Sequence, residues 1–142
     1  MIVLDTNVVS EIMNDKVDAR VVEWLNRQTD DVWTTAITVH EIRFGIASHP
    51  AEHRQRELAA AFDRVLKLDL GDRVLDFDAK AAEESGVLLA KLKRIGRMID
   101  LRDVFIAGTV AARPDAVLAT RNTRHFADAG IPLVDPWQPK AV

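Results

Sequence analysis

Cysteine is absent from this sequence. That excludes a disulfide framework, a thiol nucleophile and any cysteine-ligated zinc or iron–sulfur site, and it suits a reducing, cytoplasmic compartment. Long hydrophobic runs are missing too. Met1 passes directly into Ile-Val-Leu-Asp without a basic leader, and no apolar stretch approaches the ~18 residues of a membrane span, so neither a signal peptide nor a membrane segment is expected. Strong charge of one sign is also lacking. A formal net charge of −3 excludes a protein that grips nucleic acid over its whole surface by bulk electrostatics.

What is present fits a globular chain. Apolar residues make up 48% and charged residues 29% of 142 positions, which rules out disordered, collagenous and low-complexity classes and leads us to expect one domain spanning residues 1–142. The charge is unevenly spread. Residues 86–125 hold eight Lys or Arg (Lys91, Lys93, Arg94, Arg97, Arg102, Arg113, Arg121, Arg124) against Asp100, Asp103 and Asp115, a local balance of +5 that leaves −8 elsewhere.

Ile2-Val3-Leu4 reads as a short buried strand that stops at Asp5-Thr6-Asn7, residues that favour turns and helix caps, with a helix expected from Val8 to Met13. A second helix is predicted over Asp18 to Arg27, and a second strand over Val32 to Ile37, with Thr38 capping a helix from Val39 to about Ser48. Ala51 to Arg64 has strong helix propensity, and Val65 to Leu70 alternates like a strand before a Gly71-Asp72 turn. The longest periodic stretch, Asp78 to Ile95, carries Ala82, Val87, Leu88 and Leu92 and stops at Gly96. From Leu101 a helix begins that is apolar on nearly every side, which suits burial inside the domain. Strands at Ala116 to Ala119 and Ile131 to Val134 complete the pattern, with a helical turn around Phe126 between them. Strands alternating with helices, without hairpin signals, predict a three-layer α/β domain with a mostly parallel central sheet flanked by helices.

In such a sheet reactive groups gather at the carboxyl ends of the strands, near the point where strand order reverses. Asp5 follows the first strand, Glu41 lies one turn into the helix after the second, Asp100 and Asp103 flank the start of the apolar helix, and Thr120 and Asn122 close another strand at that end. Carboxylates sharing a small site repel, and a divalent cation lets them stay ionised; oxygen ligands alone select Mg²⁺ or Mn²⁺. Such an ion lowers the pKa of bound water and neutralises phosphoryl charge, which favours phosphodiester hydrolysis. Each acid also has a structural reading. Asp5 could cap the first helix, Glu41 could face solvent or an ion-pair partner, and Asp100 and Asp103 sit where acids favour a helix N-terminus.

Five segments together, Leu4-Asp5-Thr6-Asn7-Val8, Glu41-Ile42-Arg43-Phe44-Gly45, Asp103-Val104-Phe105-Ile106-Ala107, Ala119-Thr120-Arg121-Asn122-Thr123 and Asp135-Pro136-Trp137, resemble the PIN-domain ribonucleases, in particular the VapC/FitB-type toxins of toxin–antitoxin systems. The resemblance covers nearly the whole chain. It implies a parallel-sheet PIN fold, Mg²⁺- or Mn²⁺-dependent endoribonuclease activity on RNA, inhibition by a small DNA-binding antitoxin, and a homodimer within a larger toxin–antitoxin assembly. Position by position, Asp5, Glu41 and Asp103 match the family's acidic, metal-holding triad, and Thr6 and Thr120 match hydroxyl positions beside it. Asn122 stands where the family often has a fourth acid. It can hold water or orient a neighbour without adding charge, which bears on whether a second metal site is occupied.

Lys91, Lys93, Arg94 and Arg97, with Arg121 and Arg124, are the candidates for anchoring RNA phosphates, against the alternative of a solvated helix face. His49 and His53 have metal-like spacing, but the intervening Pro50 favours an ordinary surface. His125 could reach a phosphate from its loop, and Trp24, Trp33 and Trp137 read as core or interface residues. Two alternatives stand beside the nuclease. A catalytically inactive PIN-like RNA- or protein-binding module would lack metal binding, and a haloacid-dehalogenase-type phosphohydrolase would need an Asp two residues after Asp5, where Asn7 stands.

Overall fold

The computed structural model describes residues 1–139. Five strands, β1 (Ile2–Leu4), β2 (Val32–Thr35), β3 (Val74–Leu75), β4 (Val117–Ala119) and β5 (Leu133–Val134), form one parallel sheet in the order β3-β2-β1-β4-β5. In register, Val3 faces Trp33 on one side and Leu118 on the other. Six α-helices connect them: α1 (Thr6–Ile12), α2 (Ala19–Asn26), α3 (Ala36–Ala47), α4 (Glu52–Arg64), α5 (Ala79–Arg94) and α6 (Leu101–Ala111).

The sequence explains most of the helix starts. Asp5, Asp18, Thr35, Asp78 and Asp100 each place a side-chain oxygen on a backbone N–H of the first turn that follows, satisfying donors that have no partner within the helix. Only α4 begins without such a bond. The predicted cap at Thr38 belongs instead to Thr35, whose extended backbone ends β2 and whose hydroxyl accepts the Thr38 N–H at 3.1 Å. Ala36 and Ile37, expected in the strand, therefore form the first turn of α3.

Successive strand residues point to opposite faces, and the core divides accordingly. Leu4 joins Val8, Val9, Val21, Trp24, Ile42, Ile46 and Phe62 on one face, while Val3 joins Leu88, Leu92, Val104, Ile106, Val110 and Leu118 on the other. Helices α1 to α4 thus supply most of one outer layer, and α5 and α6 the second, as a three-layer α/β fold requires.

Further expectations fail. Val65 to Leu70 is not a strand: Val65–Asp69 is a π-helical turn continuing α4, closed by Leu70 N–H donating to Val65 O at 3.0 Å. The five-residue repeat of that turn brings Val65 and Leu70 to the same buried side while Leu68 stays exposed, so the alternation of Leu66, Leu68 and Leu70 with Lys67 and Asp69 does not mark a strand face. The third strand lies further on, at Val74–Leu75, after Gly71 and Asp72 turn the chain with φ of 53° and 58°. On α5, the inward positions are Ala81, Ser85, Leu88 and Leu92, which leaves Val87 69% exposed and Ala82 on the solvent side.

Candidate active site

Strand order reverses at β1, which has β2 on one side and β4 on the other although β4 comes last but one in sequence. A crevice at the carboxyl ends of β1 and β4 is the expected site in such a sheet. Asp5 stands there. Its N–H donates to Ala119 O at 2.9 Å, extending the β1–β4 ladder by one bond, and its side chain is held from three directions. Thr120 Oγ1 donates to Asp5 Oδ2 at 2.7 Å, Asn7 Nδ2 donates to the same oxygen at 3.2 Å, and Thr6 N–H donates to Oδ1 at 2.8 Å. The capping role and a site role therefore coincide in one carboxylate.

Thr120 is a small hub. Fully buried, it also accepts Asn122 N–H at 3.0 Å and Asn7 Nδ2 at 3.3 Å. Asn122 accordingly contributes its backbone, while its residue as a whole is exposed. Asn7 completes the link from α1 to the β4 end by accepting Arg121 N–H at 3.1 Å. Sequence reasoning had assigned Asn7 no role in the site; its signal was the position two residues after Asp5, where its amide can reach both strands.

Glu41 on α3 and Asp103 in the first turn of α6 lie near enough to Asp5 and to each other for their charges to couple. The acids affect one another. Burial raises the Asp5 pKa above the usual carboxylate range and Asp103 adds to this, against the hydrogen bonds from Thr120, Thr6 and Asn7. Burial likewise raises Glu41, assisted by Asp103 and Asp5 and opposed by the Arg102 guanidinium and a Thr6 hydrogen bond. Asp103 is raised by burial first, with His125 pulling the other way. His125 Nδ1 lies 3.5 Å from Asp103 Oδ2, so this loop histidine is set against the acid.

Asp100 behaves differently. It caps α6 by accepting Arg102 N–H at 2.8 Å and forms an exposed pair with the Arg102 side chain at 3.0 Å, and those hydrogen bonds lower its pKa. The cap reading for Asp100 and the buried, charge-coupled reading for Asp103 are thus separated by environment.

Among the described residues, no three His, Asp or Glu side chains converge closely enough to enclose a metal ion by themselves. Mg²⁺ does not need such a cage: it is commonly held by one or two carboxylates and keeps several waters. Glu41 Oε1 is buried with no hydrogen-bond partner, and three acids with raised pKa values share one crevice. An orphaned carboxylate oxygen in an all-oxygen donor set fits a hard divalent cation.

The basic candidates differ in their surroundings. Lys91, Lys93 and Arg94 are exposed on the last turns of α5. Arg97 is engaged, donating to Arg124 O at 2.8 Å and pairing with Asp128 at 3.3 Å, and Arg121 lies over the Trp137 ring at 4.8 Å. Trp24 and Trp137 are buried, as core residues should be, and His49 accepts Ala51 N–H in the loop before α4.

Residues 2–132 match the PIN domain family. The chain belongs to that family. This PIN domain is 38% identical over 140 residues to the VapC ribonuclease Y4jK of Sinorhizobium fredii, covering 98% of this chain and 99% of that protein. Toxin FitB of Neisseria gonorrhoeae is 33% identical over 138 residues, covering 96% and 99%. The structure of FitAB bound to an IR36 DNA fragment superposes on this PIN domain with a TM-score of 0.84 at 32% identity, covering 99% of each chain. Within its family this PIN domain groups with the VapC/FitB-type toxins.

Linkage gives the acids a stability consequence. Raised folded-state pKa values mean that the folded chain binds these protons more tightly than the unfolded chain, so the ionised acids cost stability above their folded pKa values and the cost fades as pH falls through them. In metal-free buffer at neutral pH, Glu41→Gln should therefore raise Tm, and the gain should shrink on acidification. Calorimetry in EDTA checks this; a lowered Tm for Glu41→Gln at neutral pH would show that Glu41 is stabilised in the fold by contacts its charge requires.

Proposed function

We propose that this PIN domain is the endoribonuclease toxin of a toxin–antitoxin pair, hydrolysing RNA phosphodiester bonds at a centre of Asp5, Glu41 and Asp103 that takes Mg²⁺ or Mn²⁺. One observation carries the reading: acids from β1, α3 and α6 share the crevice at the strand-order reversal, with Glu41 Oε1 buried and unpartnered.

When bound, the cation would supply an acidified water and neutralise phosphoryl charge. The chain's own residues set its surroundings. Thr120 and Asn7 fix Asp5 Oδ2 through the 2.7 and 3.2 Å bonds, leaving the carboxylate little rotational freedom. Hydrogen bonds of this kind behind a ligand carboxylate orient it and tune its basicity. Thr6 steadies Asp5 Oδ1 through its N–H, and Asn122 holds Thr120 in place through its own. Lys91, Lys93, Arg94 and Arg124 anchor the RNA backbone without reading its sequence, whereas Arg97 and Arg121 act mainly in the protein's own packing. The partner is a small DNA-binding antitoxin, and the pair forms a larger assembly built on a toxin homodimer.

Purified protein incubated with total RNA should produce new, mappable ends in Mg²⁺ and none in EDTA. RNA left intact under both conditions, with the protein folded, would overturn the nuclease reading in favour of an inactive binding module.

A further inference from the structure

A cavity of about 360 Å³ opens beside the acidic centre, lined by Asn7, Ser10, Glu11, Asn14, Arg121 and Trp137. The three acids take no part in it. Asn7 is the wall that the cavity and the centre share: its Nδ2 donates to Asp5 Oδ2 at 3.2 Å and to Thr120 Oγ1 at 3.3 Å, and its Oδ1 accepts the Arg121 N–H at 3.1 Å. A molecule in the cavity therefore lies one side chain away from Asp5.

The rest of the lining is polar and partly free. Asn7, Ser10, Glu11 and Asn14 follow the i, i+3, i+4, i+7 spacing of one helix face, with Asn14 just past the end of α1, and both Ser10 and Asn14 are exposed. Asn14 Nδ2 donates to Glu11 Oε2 at 2.7 Å and the Asp18 N–H donates to Glu11 Oε1 at 3.4 Å, which steadies the Glu11–Asn14 pair. A carboxylate oxygen has more than one lone pair and an amide has a second N–H and a carbonyl, so the pair keeps both acceptors and a donor for a ligand. The Arg121 guanidinium is held over the Trp137 ring, 4.8 Å from its centroid.

Hydrogen-bonding groups that match a base edge, beside a guanidinium plane that can stack, are the means by which proteins take up an unpaired RNA base. A groove for the phosphate backbone alone would need several cations, and Arg121 is the one cation among these lining residues. We propose that this cavity is a specificity subsite of the nuclease: it takes one splayed-out base of single-stranded RNA next to the scissile phosphate, read by Glu11 and Asn14 and stacked on Arg121. This rests on the nuclease reading above and adds to it the residues that decide where the strand is cut. A carboxylate accepts from exocyclic amino groups, which adenine, cytosine and guanine carry and uracil lacks, so uracil is the base least favoured there.

The test maps the ends that the full chain produces from total RNA in Mg²⁺, with Tm recorded for each variant. Wild type should disfavour uracil at one fixed position relative to the cut. Asn14→Ala should reduce that preference by at least ~5-fold, the scale of one lost bidentate base contact, and Glu11→Gln, which exchanges an acceptor for a donor, should raise cutting at uracil. A wild type with no base preference at any fixed position, or a preference unchanged in both variants, would overturn the subsite. Unchanged preference together with lost inhibition by the antitoxin would overturn it in favour of a bound peptide segment. A folded wild type that cleaves no RNA would overturn the nuclease reading and the subsite with it, which keeps the two failures distinct.

Discussion

Asp103→Asn should lower RNA cleavage by at least ~100-fold at saturating Mg²⁺, the scale on which a preorganised charge partner of the reacting centre is lost. Asp100→Asn, three residues earlier, should cleave at close to the wild-type rate. Asp103 is partly buried, coupled to Asp5 and Glu41, and its pKa is raised; Asp100 is exposed, paired with Arg102, and its pKa is lowered. Asparagine caps helices about as well as aspartate, so the Asp100 variant loses only a surface ion pair, less than about 1 kcal/mol of stability. Single-turnover assays on variants confirmed as folded would check both. A dead Asp100→Asn beside an active Asp103→Asn would mean that the third acid has been assigned to the wrong residue.

The largest effect on stability is expected at Gly108, where α5 and α6 pack. A Cβ built on Gly108 would lie 2.6 Å from Ser85 Cβ, 2.8 Å from Ala81 O and 2.8 Å from Ser85 N. Two of those atoms are backbone, so no rotamer change relieves the clash and the helices must move apart. Helix propensity alone argues the other way, favouring Ala over Gly by ~1 kcal/mol. Overpacking costs typically 1–3 kcal/mol and more when backbone must shift, so the net sign is destabilising. Gly108→Ala should lose at least ~2 kcal/mol, a fall of about 8 °C in Tm for a chain of this size. Gly86 on α5 provides the control: a Cβ there meets nothing within 4 Å, and Gly86→Ala should be neutral or stabilising. Equal responses at the two glycines would show that α5 and α6 are not in close contact at Gly108.

Gly108 also illustrates what a sequence withholds. Its neighbours Ala81 and Ser85 are more than twenty residues away, and no local pattern announces that two helices meet at that point. The two-residue β3 is too short to show any period, while in the π-helical turn before it Leu66, Leu68 and Leu70 alternate with polar residues in sequence without sharing a buried face. Boundaries set by side-chain capping were ambiguous for the same kind of reason: Thr35 and Thr38 are both good caps, and only the backbone shows which one ends the strand. The acidic centre was legible because each acid stands beside a readable element. Asp5 follows an apolar run, Glu41 lies on the helix after the second strand, and Asp103 stands in the first turn of a helix that is buried along most of its length. Asn7 was missed as a site residue because its role depends on which strands and helices become neighbours, and that is settled by topology.

The central claim is that Asp5, Glu41 and Asp103, contributed by three separate elements, act as one centre. Single-turnover RNA cleavage by Asp5→Asn, Glu41→Gln and Asp103→Asn, alone and combined, tests it most directly, because residues that work as a unit are strongly non-additive. Each single variant should lose nearly as much activity as the triple variant. Losses that multiply across the three positions, or a single variant that keeps near-normal cleavage, would contradict it.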